Sequence, residues 1–131
     1  MNPQIFREYD IRGVAERDLT DEVVELLGKA FGTVVRRSGS NQVLVGRDNR
    51  LSSGRLRDAM TRGLLAAGCD VVDLGLVVTP VLYYARVHFG IDGGVMITGS
   101  HNPPDENGFK LALGSGTIYG KEIQALKKLI N

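Results

Sequence analysis

Ser100 and His101 stand side by side in "TGSHNPPDENGFK", Thr98 to Lys110, directly after the apolar run "GGVMI". A turn at such a place needs Gly, Asn and Pro; it does not need Ser-His. Acyl transfer would call for a nucleophile elbow, G-x-S-x-G, and that pattern fails at Thr98 and Asn102. Neighbouring side chains in an extended loop also diverge, which disfavours the serine–histidine hydrogen bond of that chemistry. Phosphoryl transfer asks for positioning and positive charge more than for covalent chemistry. Ser100 can hold the transferred group, and His101 can donate to a phosphate oxygen or act as acid or base near neutral pH. Lys110 can bring an ammonium back toward the loop from the next strand.

A second polar cluster is "FREYDIRG", Phe6 to Gly13, which holds Tyr9, Asp10 and Arg12 ahead of the first long helix. Arg12 beside Gly13 offers a planar fork to a phosphate; composition alone favours an ordinary surface ion-pair segment. No G-x-x-x-x-G-K-[ST] run occurs, and no G-x-G-x-x-G opens a helix after a strand, so a nucleotide site has no support. "GSGT", Gly114 to Thr117, reads as a tight turn. "GRDNRLSS", Gly46 to Ser53, reads as a structural strand–turn–helix junction: Asp48 and Asn49 turn and Ser52 or Ser53 caps; the alternative is that Arg47 or Arg50 faces the interdomain cleft.

These residues need elements to hold them. Thr20 to Arg37 has a capping Thr, acids first and arginines last, with apolar residues at helical spacing, and is predicted helical. "QVLVGRD", "CDVVDLG" and "GGVMITG" read as strands. "SSGRLRDAMTRGLLAAG" reads as a helix stopped at Gly68. "TPVLYYARVHFG" is another, with Pro80 in its first turn and Gly90 as its stop, and His88 near its end is placed to cap carbonyls. "NGFKLAL" is a short strand, and "GKEIQALKKLIN" begins a helix that runs to the chain end. Alternating strands and helices predict βαβ units. The connection from "VMIT" to "GFKLAL" is too short for a crossover, so that pair is antiparallel. The expected fold is α/β: a three-layer αβα sandwich on a mixed, mostly parallel sheet, as one domain over residues 1–131. Sites in such sheets lie at strand C-terminal ends, where "TGSHNP" falls.

Bulk properties narrow the partners. The chain has 131 residues, 43% hydrophobic and 24% charged, enough for a core. The formal net charge is +1, so no basic field points to nucleic acid. No run approaches the roughly 18 apolar residues of a membrane span. "MNPQIFREYD" has no apolar h-region and does not read as a signal peptide. Cys69 is alone, so an intrachain disulfide is excluded, and a cytoplasmic location is expected.

The order of "FREYDIRG", "GRDNRLSS" and "TGSHNPPDENGFK" resembles the first domain of the α-D-phosphohexomutase superfamily, in its bacterial phosphomannomutase/phosphoglucomutase group. The likeness covers essentially the whole chain. It implies that the parent enzyme interconverts hexose 1-phosphates and 6-phosphates through a hexose 1,6-bisphosphate, which also serves as activator. It implies that Ser100 carries the phosphoryl group and that Mg²⁺ binds one phosphoserine oxygen. Lys110 matches an acid/base or charge-stabilising lysine. Arg12 matches a catalytic position, Tyr9 a substrate-binding one, and His101 and Asn102 would contact the phosphoryl group or substrate. Family enzymes have four domains, and their D-G-D-x-D-R metal loop belongs to the second; no such run occurs here. The resemblance therefore implies that domains II–IV are the chain's partners and that the isolated chain is inactive or very weak. The alternative expectation is a non-enzymatic folding or interaction fragment that self-associates through an exposed interdomain surface.

Overall fold

The computed structural model describes residues 1–131. Six strands form one sheet: β1 (Ile11–Val14), β2 (Gln42–Arg47), β3 (Asp70–Leu76), β4 (Gly93–Ile97), β5 (Glu106–Leu113) and β6 (Gly116–Thr117). The helices are α1 (Ala15–Asp18), α2 (Asp21–Arg37), α3 (Ser53–Ala66), α4 (Thr79–Phe89) and α5 (Lys121–Ile130). Thr20 caps α2 through its Oγ1, which accepts the Val23 N–H at 3.3 Å. Val24, Leu27, Ala30, Phe31 and Val35 form its buried stripe. Pro80 sits in the first turn of α4, and Gly90 ends it in the left-handed region at φ 66°.

The strand order is β1-β5-β4-β2-β3, with β6 paired to β5. β2 runs parallel to β3 and β4, whereas β5 is antiparallel to β4, β1 and β6. β5 alone is therefore reversed, and the sheet is mixed but mostly parallel, as the chain's alternation predicts. Strand side chains alternate between faces. Val43, Val45, Val95, Ile97, Phe109 and Leu111 join the large core with residues of α2, α3 and α5. Leu44 and Met96 point the other way, onto Leu82 and Ala85 of α4 and onto Ile91. Helices on both faces give the αβα sandwich. The glycine at 63 fixes the α2–α3 contact. A Cβ there would fall onto the Glu25 carbonyl and come within 2.8 Å of the Gly28 Cα.

Three details differ from the expectations. The "FREYDIRG" cluster, to which no element was assigned, runs into regular structure: Ile11–Val14 is a sheet strand, and Ala15–Asp18 adds a helical turn. Four residues with Arg and Gly at the centre carry no readable period; pairing with β5 makes the strand. Neither serine caps α3 with its side chain, because both are taken by Asn107, whose amide donates to Ser52 Oγ at 2.8 Å and Ser53 Oγ at 3.0 Å. His88 does not cap carbonyls either. Its ring stacks on Tyr84 at 5.8 Å and meets Phe89 edge-on at 4.9 Å.

Candidate active site

The Ser100 loop leaves the C-terminal end of β4 and returns as β5. Ser100 is exposed and is the one non-glycine residue with positive φ, at 53°. For an L-residue that conformation costs on the order of 1–2 kcal/mol and persists only where the surroundings over-determine it. The surroundings do so here. The Ser100 N–H donates to Thr98 Oγ1 at 3.0 Å. Asn102 donates both its backbone N–H, at 2.9 Å, and its side-chain amide, at 3.0 Å, to the Gly99 carbonyl. Asp48 Oδ2 accepts the Gly99 N–H at 3.0 Å, and Asp48 Oδ1 accepts from Ser53 Oγ at 2.6 Å.

Beneath the loop lies Arg50. Its Nη1 donates to the carbonyls of Pro103 (2.6 Å) and Glu106 (3.1 Å), and its Nη2 to those of Ser100 (3.1 Å) and Asn102 (2.8 Å). Sequence reasoning gave "GRDNRLSS" a turn and a capping role; the structure makes Asp48 and Arg50 the frame of the Ser100 loop. The motif's opposite charges two positions apart, at a strand end, were the available signal.

Burial pushes the Asp48 carboxyl up, but hydrogen bonds from Ser53, Gly99, Arg50 and Thr98 outweigh it and hold the group below its ordinary 3.8. A folded pKa below the unfolded one means that Asp48 contributes stability above the unfolded value. That contribution is lost as pH falls through the lower, folded value. Urea-unfolding midpoints followed from about pH 5 downward should therefore fall more steeply in the wild type than in Asp48→Asn. Parallel curves would refute this role.

Arg12 and Lys110 are brought together across the sheet. β1 pairs with β5 so that Arg12 faces Gly108 and Ile11 faces Phe109. Ile11 and Phe109 enter the large core, so alternation turns Arg12 and Lys110 to the opposite face, the one α4 covers only over β2 and β4. Asp10, which is buried, bridges them: Oδ2 accepts from Arg12 Nη2 at 2.5 Å and lies 3.9 Å from Lys110 Nζ. The Arg12 Nε is buried and has no hydrogen-bond partner. Lys110 does not meet Ser100 directly, since its register partner on β4 is Met96. Tyr9 is exposed and stacks on Tyr119 at 6.3 Å. His101 is exposed and makes no hydrogen bond within the chain, while Asn102 spends its amide on the loop. Asp10 was read as part of a charged segment; its bridging role needed the β1–β5 register. No group of three His, Cys, Asp or Glu is close enough to hold a metal ion.

Residues 3–131 match the family model described as phosphoglucomutase/phosphomannomutase, alpha/beta/alpha domain I. The chain belongs to this family. Phosphoglucomutase of Neisseria meningitidis serogroup B is 47% identical over 126 residues, which is 96% of this chain and 27% of that protein. Phosphomannomutase/phosphoglucomutase of Pseudomonas putida is 49% identical over 122 residues, 93% of this chain and 26% of that protein. The crystal structure of a phosphoglucomutase/phosphomannomutase family protein from Burkholderia thailandensis superposes with a TM-score of 0.91. It is 48% identical and matches 96% of this chain and 29% of that one. The chain thus spans about a quarter of the length of the curated relatives it matches. None of its helices is long and apolar enough to cross a membrane.

Proposed function

We propose that this chain, residues 1–131, is the phosphoserine-bearing domain I of a phosphohexomutase that interconverts hexose 1-phosphate and hexose 6-phosphate. The observation that carries the reading is Ser100, exposed at a strand C-terminus on a left-handed backbone, in a loop whose next strand bears Lys110 beside Arg12. In the proposed cycle the Oγ–P bond of phosphoserine 100 breaks. The phosphoryl group passes to a free sugar hydroxyl, whose proton leaves to a base. The hexose 1,6-bisphosphate turns round, and its other phosphate returns to Ser100 Oγ. Arg12 offers its unpartnered Nε–H to a phosphate oxygen, since a buried donor without an acceptor is costly. Lys110 supplies charge or a proton, and His101, Asn102 and Tyr9 border the substrate. These residues alone do not make a Mg²⁺ site. The ion would take one oxygen from phosphoserine 100 and its other ligands from outside this chain, which fits dependence on domains II–IV. The lone, buried Cys69 fits a cytoplasmic enzyme.

Intact mass after incubation with hexose 1,6-bisphosphate and Mg²⁺, with the remaining domains supplied, is expected to show one added phosphoryl group, mapped to the peptide holding Ser100. A phosphoryl group elsewhere, or none, would count against the reading.

A second reading is favoured by one observation. Between Leu76 and Ile91 the only fully charged side chain is Arg86, which is buried, while Leu76, Val78, Val81, Tyr84, Val87 and Phe89 are exposed. Such a patch marks an interface. In the isolated chain it would serve self-association, without catalysis. Light scattering is expected to show dimers that Val87→Glu converts to monomer; a monomer at every concentration would refute it.

A further inference from the structure

The Arg50 guanidinium is enclosed by the backbone of the Ser100 loop and is close to only one anion. It makes four hydrogen bonds, all to main-chain carbonyls: Ser100, Asn102, Pro103 and Glu106. The nearby anion is Asp48, whose Oδ2 lies 3.5 Å from Nε. The side chain is only 15% exposed. A Cβ on residue 99 would fall directly onto the guanidinium, on Nε and Cζ. Gly99 thus leaves the room that the guanidinium occupies, and a side chain there would displace it from its four carbonyls.

This arrangement is more than a surface ion pair. Asp48 pairs with the Nε edge, while Nη1 and Nη2 are turned to carbonyls, which attract a cation without neutralising it, so the loop is wound around the far end of the guanidinium. Five donors in a rigid plane can satisfy carbonyls on both limbs of the loop at once, which the compact ammonium of lysine cannot do. One of the four carbonyls belongs to Ser100, the residue on the left-handed backbone.

We propose that Arg50 is a positioning residue. It holds the Ser100 backbone left-handed and aims Oγ for transfer, and it keeps that shape in both states of the serine, with and without the phosphoryl group. A phosphoryl group adds a charge of about −1.5 to −2, which would repel an anionic neighbour and distort a loop held by neutral contacts alone. The guanidinium fixed beneath the loop, with Nη1 and Nη2 toward its backbone, lessens that penalty. The inference rests on Ser100 as the phosphoryl carrier.

The test is Arg50→Lys in the full-length enzyme, beside Ser100→Ala and Gly99→Ala. Lysine keeps the charge and loses the fork. Displacement of a reacting group by about 1 Å costs about 100-fold, so kcat should fall about 100-fold with KM nearly constant. Amide hydrogen exchange at Gly99 and Asn102 should accelerate while the cooperative melt persists. Gly99→Ala should give the same split, and methylguanidinium should restore turnover to Arg50→Ala but not to Ser100→Ala. Wild-type kcat in Arg50→Lys, where Ser100→Ala is inactive, would overturn the inference. So would loss of the folded state in Arg50→Lys, which would assign Arg50 to folding. An active Ser100→Ala would remove the carrier role instead, and the exchange rates at Gly99 and Asn102 would then decide the inference alone.

Discussion

Ser100→Ala is expected to abolish mutase turnover, by at least about 10⁴-fold, when the chain is joined to the domains its relatives carry. The size of the effect follows from the cycle proposed above. The serine oxygen is a covalent partner in both half-reactions, so its loss removes a bond-forming atom, not a contact. Water can substitute for a lost hydrogen bond; it cannot return a phosphoryl group to the same bisphosphate. The substitution itself is structurally mild, because the hydroxyl is exposed and the loop is held through backbone groups of Gly99, Ser100 and Asn102. The variant should therefore melt with the wild type, and a coupled assay started with bisphosphate should stay at background. Turnover near wild type would refute the carrier role.

Gly63→Leu is expected to produce the largest loss of stability without touching the site. The α2–α3 contact brings the two backbones together at Gly28 and Gly63, and the atoms a side chain would strike are backbone atoms of Glu25, Gly28 and Lys29. Backbone cannot rotate away as a side chain can. Forcing the helices apart also opens the core at Leu27, Phe31 and Leu64, all fully packed. Overpacking of this kind costs about 3 kcal/mol, which lowers Tm by roughly 10 °C for a domain of this size. Circular dichroism melts would measure it; an unchanged Tm would mean that the helices separate freely.

The fold was readable where a hydrophobic period ran long enough. The stripe of α2, the Pro80 and Gly90 ends of α4, and the short β4–β5 connection each had a local signature that the structure bears out. β1 had none. Its four residues become a strand only because β5 offers an open ladder, and that information lies far along the chain. The candidate site divides in the same way. Ser100 was marked by an unneeded polar pair in a turn. Arg50 and Asp10 were noticed as charges but their roles were not, because those depend on which carbonyls or cations face them in three dimensions. Ser52 and Ser53 look like helix caps by type and place, and the competing amide of Asn107 could not be seen from their neighbours. Lys110 was expected to return to Ser100, and the register instead gives it to Asp10.

The reversal of β5 also orders events during synthesis. Residues 11–14 are made before α2, but their hydrogen-bond partners, residues 106–109, follow only after β2, α3, β3, α4 and β4. Contacts so distant in sequence form slowly and late. β1 must therefore wait, unpaired, while α2, β2 and α3 are made and pack. Arg12 cannot reach Lys110 until that seam closes. The pairing that brings Arg12 and Lys110 to Asp10 is thus a late event beside the packing of α2 on α3.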